Sequence, residues 1–461
     1  MDFSTALLCV VFTTFVACYA WGMRGAVIGG EKGAMLPGAF IGLALALFSG
    51  GTISEHFWIP TAVAAMGMTY GGTEPYGETI GMVLHRDRPI KGYTGLAMKG
   101  AFWFSVCGGF IGISFASMSG SIYKTSDLIV FCLLIPVIQI IGYNIFNMPY
   151  DKQKGIYPKI FYSLTRREEW GSNLTLIIAM MAMAIIRGDD FTLAMMGSGF
   201  FFGGLGWLVA MKSYVLSVNP LKNGKYIFGK LYRNGLIDGW KIMEFVLGAF
   251  GGFGLSLAFC TQYKYIEKYN AIINTEGIRL PNEIFGKFMP FIISACILGV
   301  LAINIYQFIC DKKNKKVDYF FWDRIERPLY NVIPMLLVLL GSVLTAKIMT
   351  VFILVFVCGM KCAFDRFADA KLLPLGQTVI SAICIAVFAG CFYDVYSPFA
   401  VVVAGTVPYL IAELASVFWR NSEKGISIRK TLTGTAFGTV YPCFVIQSVI
   451  ILSVFCKIFG I

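Results

Sequence analysis

Two glutamates in the segment Gly67 to Pro89, GMTYGGTEPYGETIGMVLHRDRP, have the spacing best suited to chemistry. Pro75 suits the first turn of a helix, so the sequence predicts a short helix with Glu74 and Glu78 at i and i+4 on one face. Two ionised carboxylates so placed repel each other, so either a cation lies between them or one holds a proton. We therefore predict that both couple ions or protons; the alternative is an amphipathic helix with its acidic face in water. Two neighbours add neutral oxygens of the kind that a sodium site uses: Thr73 and Thr79.

The segment Trp21 to Leu47, WGMRGAVIGGEKGAMLPGAFIGLALAL, places charged residues among glycines between two apolar runs. Glycine costs about 1 kcal/mol per helix position and proline about 3 kcal/mol, so the sequence predicts an interrupted helix. In a membrane, irregular backbone survives only where protein or a watered cavity satisfies it. The alternative is a tight turn in which a glutamate neutralises a neighbouring cation. Four residues are predicted to bind substrate, with the two cations holding an anionic group: Trp21, Arg24, Glu31 and Lys32.

A third candidate lies at the start of a predicted span at 242–260. Lys241 and Glu244 are spaced i, i+3 and can pair, and an ionisable side chain in the apolar zone costs about 2.5–3.5 kcal/mol. We predict substrate binding by Lys241 and coupling by Glu244, against the alternative of a structural ion pair. Glu413, isolated in PYLIAELASVFW, is likewise predicted to carry a proton, or else to be buried and satisfied by a hydroxyl.

Other polar features are predicted to be structural. The charged residues at 323–327 are expected to form a solvated cluster, and the glycosylation sequon at Asn173 lies at the edge of a predicted span and should be unused. His56 and His85 make no recognisable metal set, and the 13 cysteines are scattered in apolar runs. Because no nucleotide loop or catalytic signature is present, we expect no cofactor other than Na⁺ or H⁺ as a coupling ion.

Composition indicates an all-α integral membrane protein that forms a single polytopic domain, 1–461. The chain is 57% hydrophobic and 14% charged, whereas a soluble domain carries about 25% charged residues. Apolar runs of the length that spans a bilayer recur throughout. Fourteen spans are predicted, near 4–22, 34–50, 57–72, 95–118, 127–148, 172–186, 191–211, 242–260, 286–309, 329–345, 348–361, 373–392, 397–418 and 431–456.

The positive charge predicts the orientation of these spans. Every other connection, beginning with the one that holds Arg24, carries most of the 38 Lys and Arg residues. By the positive-inside rule these connections face the cytoplasm, which puts both termini on the outer side. A bacterial cytoplasmic membrane is the expected location. The expected partners are the lipid bilayer and a small-molecule substrate, with no nucleic acid, and the oligomeric state is left open.

A glycine-rich pattern recurs along the chain. GAFIGLALA at 38–46 returns as GGFIGISFA at 108–116 and GAFGGFGLS at 248–256, with a looser relative at 199–207. Small residues four apart let helices approach closely in lipid, and this packing explanation stands beside descent from a duplicated unit. Repeat units at 1–120 and 190–310 would follow from duplication.

The leading functional hypothesis is a secondary, proton- or sodium-coupled transporter of a small polar or anionic solute. Many spans, two interrupted charged segments and an apparent repeat favour it. The alternative is an intramembrane transferase that acts on a lipid-linked sugar or acyl donor, although no nucleophile with a partnered base is visible. A third possibility is a scaffold, in which the charged residues pair internally.

Overall fold

The computed structural model describes residues 1–27, 30–85, 87–219, 239–276, 283–313, 315–347 and 349–350, with scattered residues between 414 and 449. These residues are largely helical, and one isolated antiparallel bridge joins Asp151 to Ile156. The helices are α1 (Phe3–Val27), α2 (Gly30–Phe48), α3 (Gly51–Glu55), α4 (Trp58–Gly72), α5 (Gly77–Leu84), α6 (Pro89–Ser119), α7 (Thr125–Phe146), α8 (Trp170–Arg187), α9 (Asp190–Val218), α10 (Gly239–Thr261), α11 (Tyr263–Glu276), α12 (Glu283–Lys312), α13 (Tyr319–Arg327) and α14 (Ile333–Leu339). A π-helical turn, Pro328–Val332, joins α13 to α14, and short turns lie at Ile428–Lys430 and Thr431–Thr435.

Six of the described helices are long and apolar enough to cross a membrane: α1, α6, α7, α8, α9 and α10. Shorter apolar stretches lie in α2 and α12. The chain therefore has the architecture of a helical membrane protein. The predicted span at 373–392, and most of those at 348–361, 397–418 and 431–456, lie outside the described residues, so the number fourteen stays a prediction.

The N-terminal interruption is shorter than the sequence predicted. Helix α1 continues through Gly22 and ends at Val27, and α2 begins at Gly30, whose φ is 73°. A Cβ atom at Gly22 would lie 2.0 Å from Cε1 of Phe245 on α10. Gly22 therefore allows two helices to approach each other and does not bend the chain.

Helix α6 lies at the centre of the described fold and packs mainly on α9 and α4. A Cβ atom at Gly203 on α9 would lie 2.3 Å from the carbonyl oxygen of Gly100 on α6. Gly248 on α10 meets α1, and Gly38 on α2 meets α4, with similar closeness. The recurring glycines therefore stand at helix crossings, as the packing explanation predicted, and duplication stays a hypothesis.

The described contacts between connections form two groups. In one group, Asn270 of α11 donates to the carbonyl of Ser49 (3.0 Å), and the N-terminal amine lies 3.4 Å from Glu267. The other group brings together the starts of α2 and α8, the α4–α5 connection and the end of α13. The side of the membrane that each group faces stays a prediction.

Candidate functional site

The second group of connections contains a set of buried charged residues that we call the charged cluster. Its members come from five parts of the chain and are almost fully shielded from solvent, apart from a partly exposed Glu31. They are Glu31 of α2, Glu74 of the α4–α5 connection, Lys99 of α6, Glu168 and Glu169 before α8, and Arg327 at the end of α13.

Arg327 connects the most distant parts of this cluster. Its Nη2 and Nε donate to the two carboxylate oxygens of Glu31 (2.6 and 3.0 Å), and its Nη1 donates to Glu169 (3.2 Å). The hydroxyl of Tyr330 also donates to Glu31 (2.6 Å). This fork-shaped pairing is among the strong charge-assisted arrangements. Glu31 thus pairs with a cation that lies 296 residues away in the chain, whereas the tight-turn alternative named a neighbouring cation.

The prediction of a solvated cluster at 323–327 is wrong for its last two residues. Glu326 and Arg327 are 3% and 4% exposed. The helix continues from Arg327 directly into the π-helical turn, whose residues Tyr330 and Asn331 are buried against α2 and α4. The high density of charged residues favoured a solvent-exposed cluster. The sequence does not show which face of α13 is covered by packing against other helices.

Lys99 is the second internal cation. It is 1% exposed, and its Nζ donates to Glu168 (2.7 Å), to the carbonyl of Pro75 (2.5 Å) and to Thr79 (3.1 Å). Glu168 also accepts the backbone N–H of Tyr162 (2.6 Å). Lys99 therefore holds the α4–α5 connection, α5 and the chain before α8 in one arrangement.

Glu78 is not a member of the charged cluster, and its carboxylate is held by the chain before α8. It accepts hydrogen bonds from the hydroxyls of Ser163 and Thr165 (2.6 and 2.8 Å) and from the backbone N–H groups of Leu164 and Thr165 (2.7 and 3.0 Å). Partial burial acts to raise the pKa of Glu78, but these hydrogen bonds outweigh it and lower the pKa below its ordinary value. Glu78 is therefore a clamp on the chain before α8.

Glu74 is 3% exposed, and its environment is the reverse of that of Glu78. Its Oε1 lies 3.5 Å from Nδ2 of Asn173, and its Oε2 has no hydrogen bond among the described residues. Burial raises the pKa of Glu74 to about 8; the nearby Glu168 and Glu169 add to this effect, and Lys99 and the backbone N–H of Glu169 oppose it.

The prediction that Glu74 and Glu78 share a helix face is wrong. Helix α5 begins at Gly77, so Glu74 and Pro75 stand in a non-helical connection. The carbonyl of Pro75 is bound by Lys99. The hydroxyl oxygens of the two threonines predicted to bind sodium already accept hydrogen bonds. Thr79 accepts one from Lys99, and Thr73 accepts one from Asn173.

Lys241 and Glu244 form the predicted i, i+3 ion pair, buried at the start of α10. Lys241 also donates to the carbonyl of Gly22 (3.0 Å), and the indole N–H of Trp240 donates to Glu244 (2.9 Å). These contacts fit the structural alternative, in which the pair joins α10 to α1. The predicted roles in substrate binding and coupling stay predictions.

Of the remaining predicted site residues, the structure describes the side chain of Trp21. Trp21 is 1% exposed and packs against Trp103 and Phe104, with ring centroids 4.8 and 5.1 Å away. The side chains of Arg24 and Lys32 lie outside the described part of the structure, as does Glu413.

Sequence reasoning missed several residues that build the site. Asn173 was considered only as an unused sequon, although the structure buries it beside Glu74. Lys99 was not singled out, although it stands in the run GLAMKGAFWF, and a lysine within an apolar run was a usable signal. Glu168 and Glu169 stand directly before the apolar run of α8, which is a weaker signal of a buried charged site.

Within the described residues, no group of three or more His, Cys, Asp or Glu side chains is placed to hold a metal ion. Comparison with known proteins adds no assignment, since no family model, no curated protein and no solved structure matches the chain.

Proposed function

We propose that this chain is a secondary transporter that moves a small polar or anionic solute together with a cation or proton. In this proposal Glu74 is the coupling carboxylate. The observation that carries it is the isolation of Glu74. Among the described members of the charged cluster, Glu31, Glu168 and Glu169 each have a cationic partner, whereas Glu74 forms no ion pair and leaves Oε2 without a donor.

The chemistry of such a position favours reversible binding of positive charge. An ionised carboxylate in a buried site is costly unless it is paired and hydrogen-bonded. Binding of a cation or proton removes that cost, and its release restores it. A ligand shifts a conformational equilibrium only by its difference in affinity for the two states, and a buried, unpaired carboxylate offers such a difference.

The interrupted helices support the same proposal. The start of α2 lies directly against the end of α4, since a Cβ atom at Gly72 would be 2.5 Å from Cα of Glu31. The non-helical connection that follows Gly72 carries Glu74. Discontinuous helices that meet at a polar site are typical of secondary transporters, whose substrate and ion sites lie at such breaks.

The other predicted elements of the carrier are part of this proposal. Arg24, Lys32 and Lys241 supply positive charge for an anionic group of the solute, and the charged cluster faces the cytoplasm of a bacterial cell. Glu78 is reassigned from coupling to structure, because its donors fix the chain before α8.

The test begins with ligand identification. Purified protein is screened for thermal stabilisation by organic anions, sugars, nucleotide-sugars and lipid-linked precursors, with and without sodium and at two pH values. A ligand at about 100 times its Kd stabilises by about 2.7 kcal/mol. The solute found is then tested for gradient-driven uptake into proteoliposomes.

The matched pair of variants is Glu74→Gln and Glu78→Gln. We expect E74Q to abolish gradient-driven accumulation, and E78Q to retain transport at the level allowed by its stability. Accumulation by E74Q equal to that of the wild type would overturn the proposal. Stabilisation only by a nucleotide-sugar or polyprenyl donor would favour the transferase.

A further inference from the structure

The neighbourhood of Glu74 contains a second unsatisfied acceptor. Oδ1 of Asn173 has no hydrogen bond among the described residues, and the side chain is 0% exposed. The other end of the same amide, Nδ2, reaches Glu74 at 3.5 Å and Thr73 at 3.4 Å. Both distances exceed the usual range of about 2.7–3.2 Å for such hydrogen bonds. Two buried acceptors therefore lie beside each other with weak or absent donors.

We propose that the ligand of this site is a proton and that Asn173 is its hydrogen-bonding partner. In the protonated form, the carboxyl O–H of Glu74 donates to Oδ1 of Asn173. The two ends of an amide are assigned from their hydrogen bonds, and a half-turn of the amide brings Oδ1 to the position that Nδ2 occupies. One proton, taken from water, then gives Asn173 a donor and removes the buried charge. The role of this proton in transport rests on the proposed function, whereas its binding does not.

The surroundings disfavour sodium at this position. Hard metal cations are held by several oxygens, roughly six or more for calcium. The carbonyl of Pro75, next to Glu74 in the chain, is already bound by the ammonium group of Lys99 at 2.5 Å. A metal cation beside Glu74 would also lie near that ammonium charge. A proton needs only one acceptor, and Asn173 provides it.

The charged groups that face Glu74 come from two neighbouring elements. Lys99 of α6 favours the ionised carboxylate, and Glu168 and Glu169 favour the protonated form. Lys99 is also paired with Glu168 at 2.7 Å, so its charge is shared. Together with burial, this balance keeps the proton on Glu74 up to about pH 8.

The test is an infrared pH titration of the purified chain in detergent, from pH 5 to pH 10, which follows the carbonyl band of protonated carboxyl groups. We expect a buried band in the wild type that disappears as the pH rises through about 8, and that is missing from Glu74→Gln but kept in Glu78→Gln. Asn173→Ala should lower the midpoint, because the neutral acid loses its acceptor. Asn173→Asp should raise it, because two adjacent carboxylates then share one proton.

Several results would overturn the inference. One is a wild-type titration without a band that depends on Glu74. Another is stabilisation by sodium chloride over choline chloride that E74Q abolishes. If E74Q does not fold, the test is the midpoint of the band in the two Asn173 variants. Midpoints that do not shift in opposite directions would then overturn the inference. A Glu74-dependent proton titration without solute uptake would reject the proposed carrier function and support the proton site. Glu74-dependent uptake driven by sodium would support the carrier function and reject the proton site.

Discussion

Glu74 and Glu78 are four residues apart, yet their carboxylates have opposite environments. Glu78 accepts four hydrogen bonds from three successive residues, Ser163 to Thr165, and remains partly exposed. Glu74 is buried, its Oε1 has a long contact with Asn173, and its Oε2 has no hydrogen bond among the described residues. The difference separates a carboxylate that stabilises the fold from one whose environment favours a change of protonation. The same amino acid, in the same short segment, has two physical roles.

The largest effect is expected where a cation that serves two carboxylates is removed. Arg327→Met leaves Glu31 and Glu169 without this buried partner, so we expect a loss of about 3–5 kcal/mol in the free energy of unfolding. Denaturant-induced unfolding of the purified protein measures it. The control is Arg187→Gln, which removes a partly exposed pair with Asp127 and should cost about 1 kcal/mol or less. Equal losses in the two variants would contradict the assignment of Arg327 as a buried partner of two carboxylates.

Removal of the Glu78 clamp should have the next largest effect. Glu78→Ala leaves the donors of Ser163, Leu164 and Thr165 without their acceptor, and we expect a loss of about 2 kcal/mol. Protease sensitivity of the chain before α8 should increase in parallel. A variant as stable as the wild type, with unchanged cleavage, would contradict the assignment of Glu78 to structure.

The pH dependence of stability should then distinguish the two glutamates. The pKa of Glu74 is about 8 in the folded state, above its ordinary value of 4.5. The folded state therefore holds a proton that the unfolded chain releases, and this stabilisation is complete below pH 4.5 and is lost as the pH rises to about 8. The slope is at most about 1.4 kcal/mol per pH unit.

This pH effect is measured by thermal unfolding from pH 5 to pH 9. The pKa of Asp323 is raised by burial to about 6, and this group contributes to the slope below that pH, so Glu74→Gln should flatten the profile mainly between pH 6 and pH 8. Glu78 has a lowered pKa, so its contribution should be present above its ordinary value and lost as the pH falls below it. A wild-type profile that is flat from pH 5 to pH 8 would count against the environment described for Glu74.

The smallest effect is expected for Glu74→Gln near pH 6. The protonated acid and the amide are both neutral and similar in shape, so the free energy of unfolding should change by about 1 kcal/mol or less. Unfolding at pH 6, beside Glu78→Gln, measures it. A loss from E74Q as large as that from E78Q would remove the contrast between the two residues.

Much of the local structure could be predicted from the sequence, and the site only in part. Hydropathy located the long helices, and the i, i+3 spacing located the pair of Lys241 and Glu244. Pro75 misled the reading of the α4–α5 connection, because its carbonyl is held by Lys99 from a different helix. A tertiary contact thus outweighed a local preference.

The sequence by itself determined that this is a helical membrane protein with charged, glycine-rich interruptions, because apolar length and composition act locally along the chain. Only the tertiary structure decided which charges meet. Glu31 pairs with Arg327 across 296 positions, and Asn173 reaches Glu74 across 99. Electrostatic and hydrogen-bonding energies depend on distance in space and on burial. The position of a residue in the chain does not specify either quantity until the helices have packed.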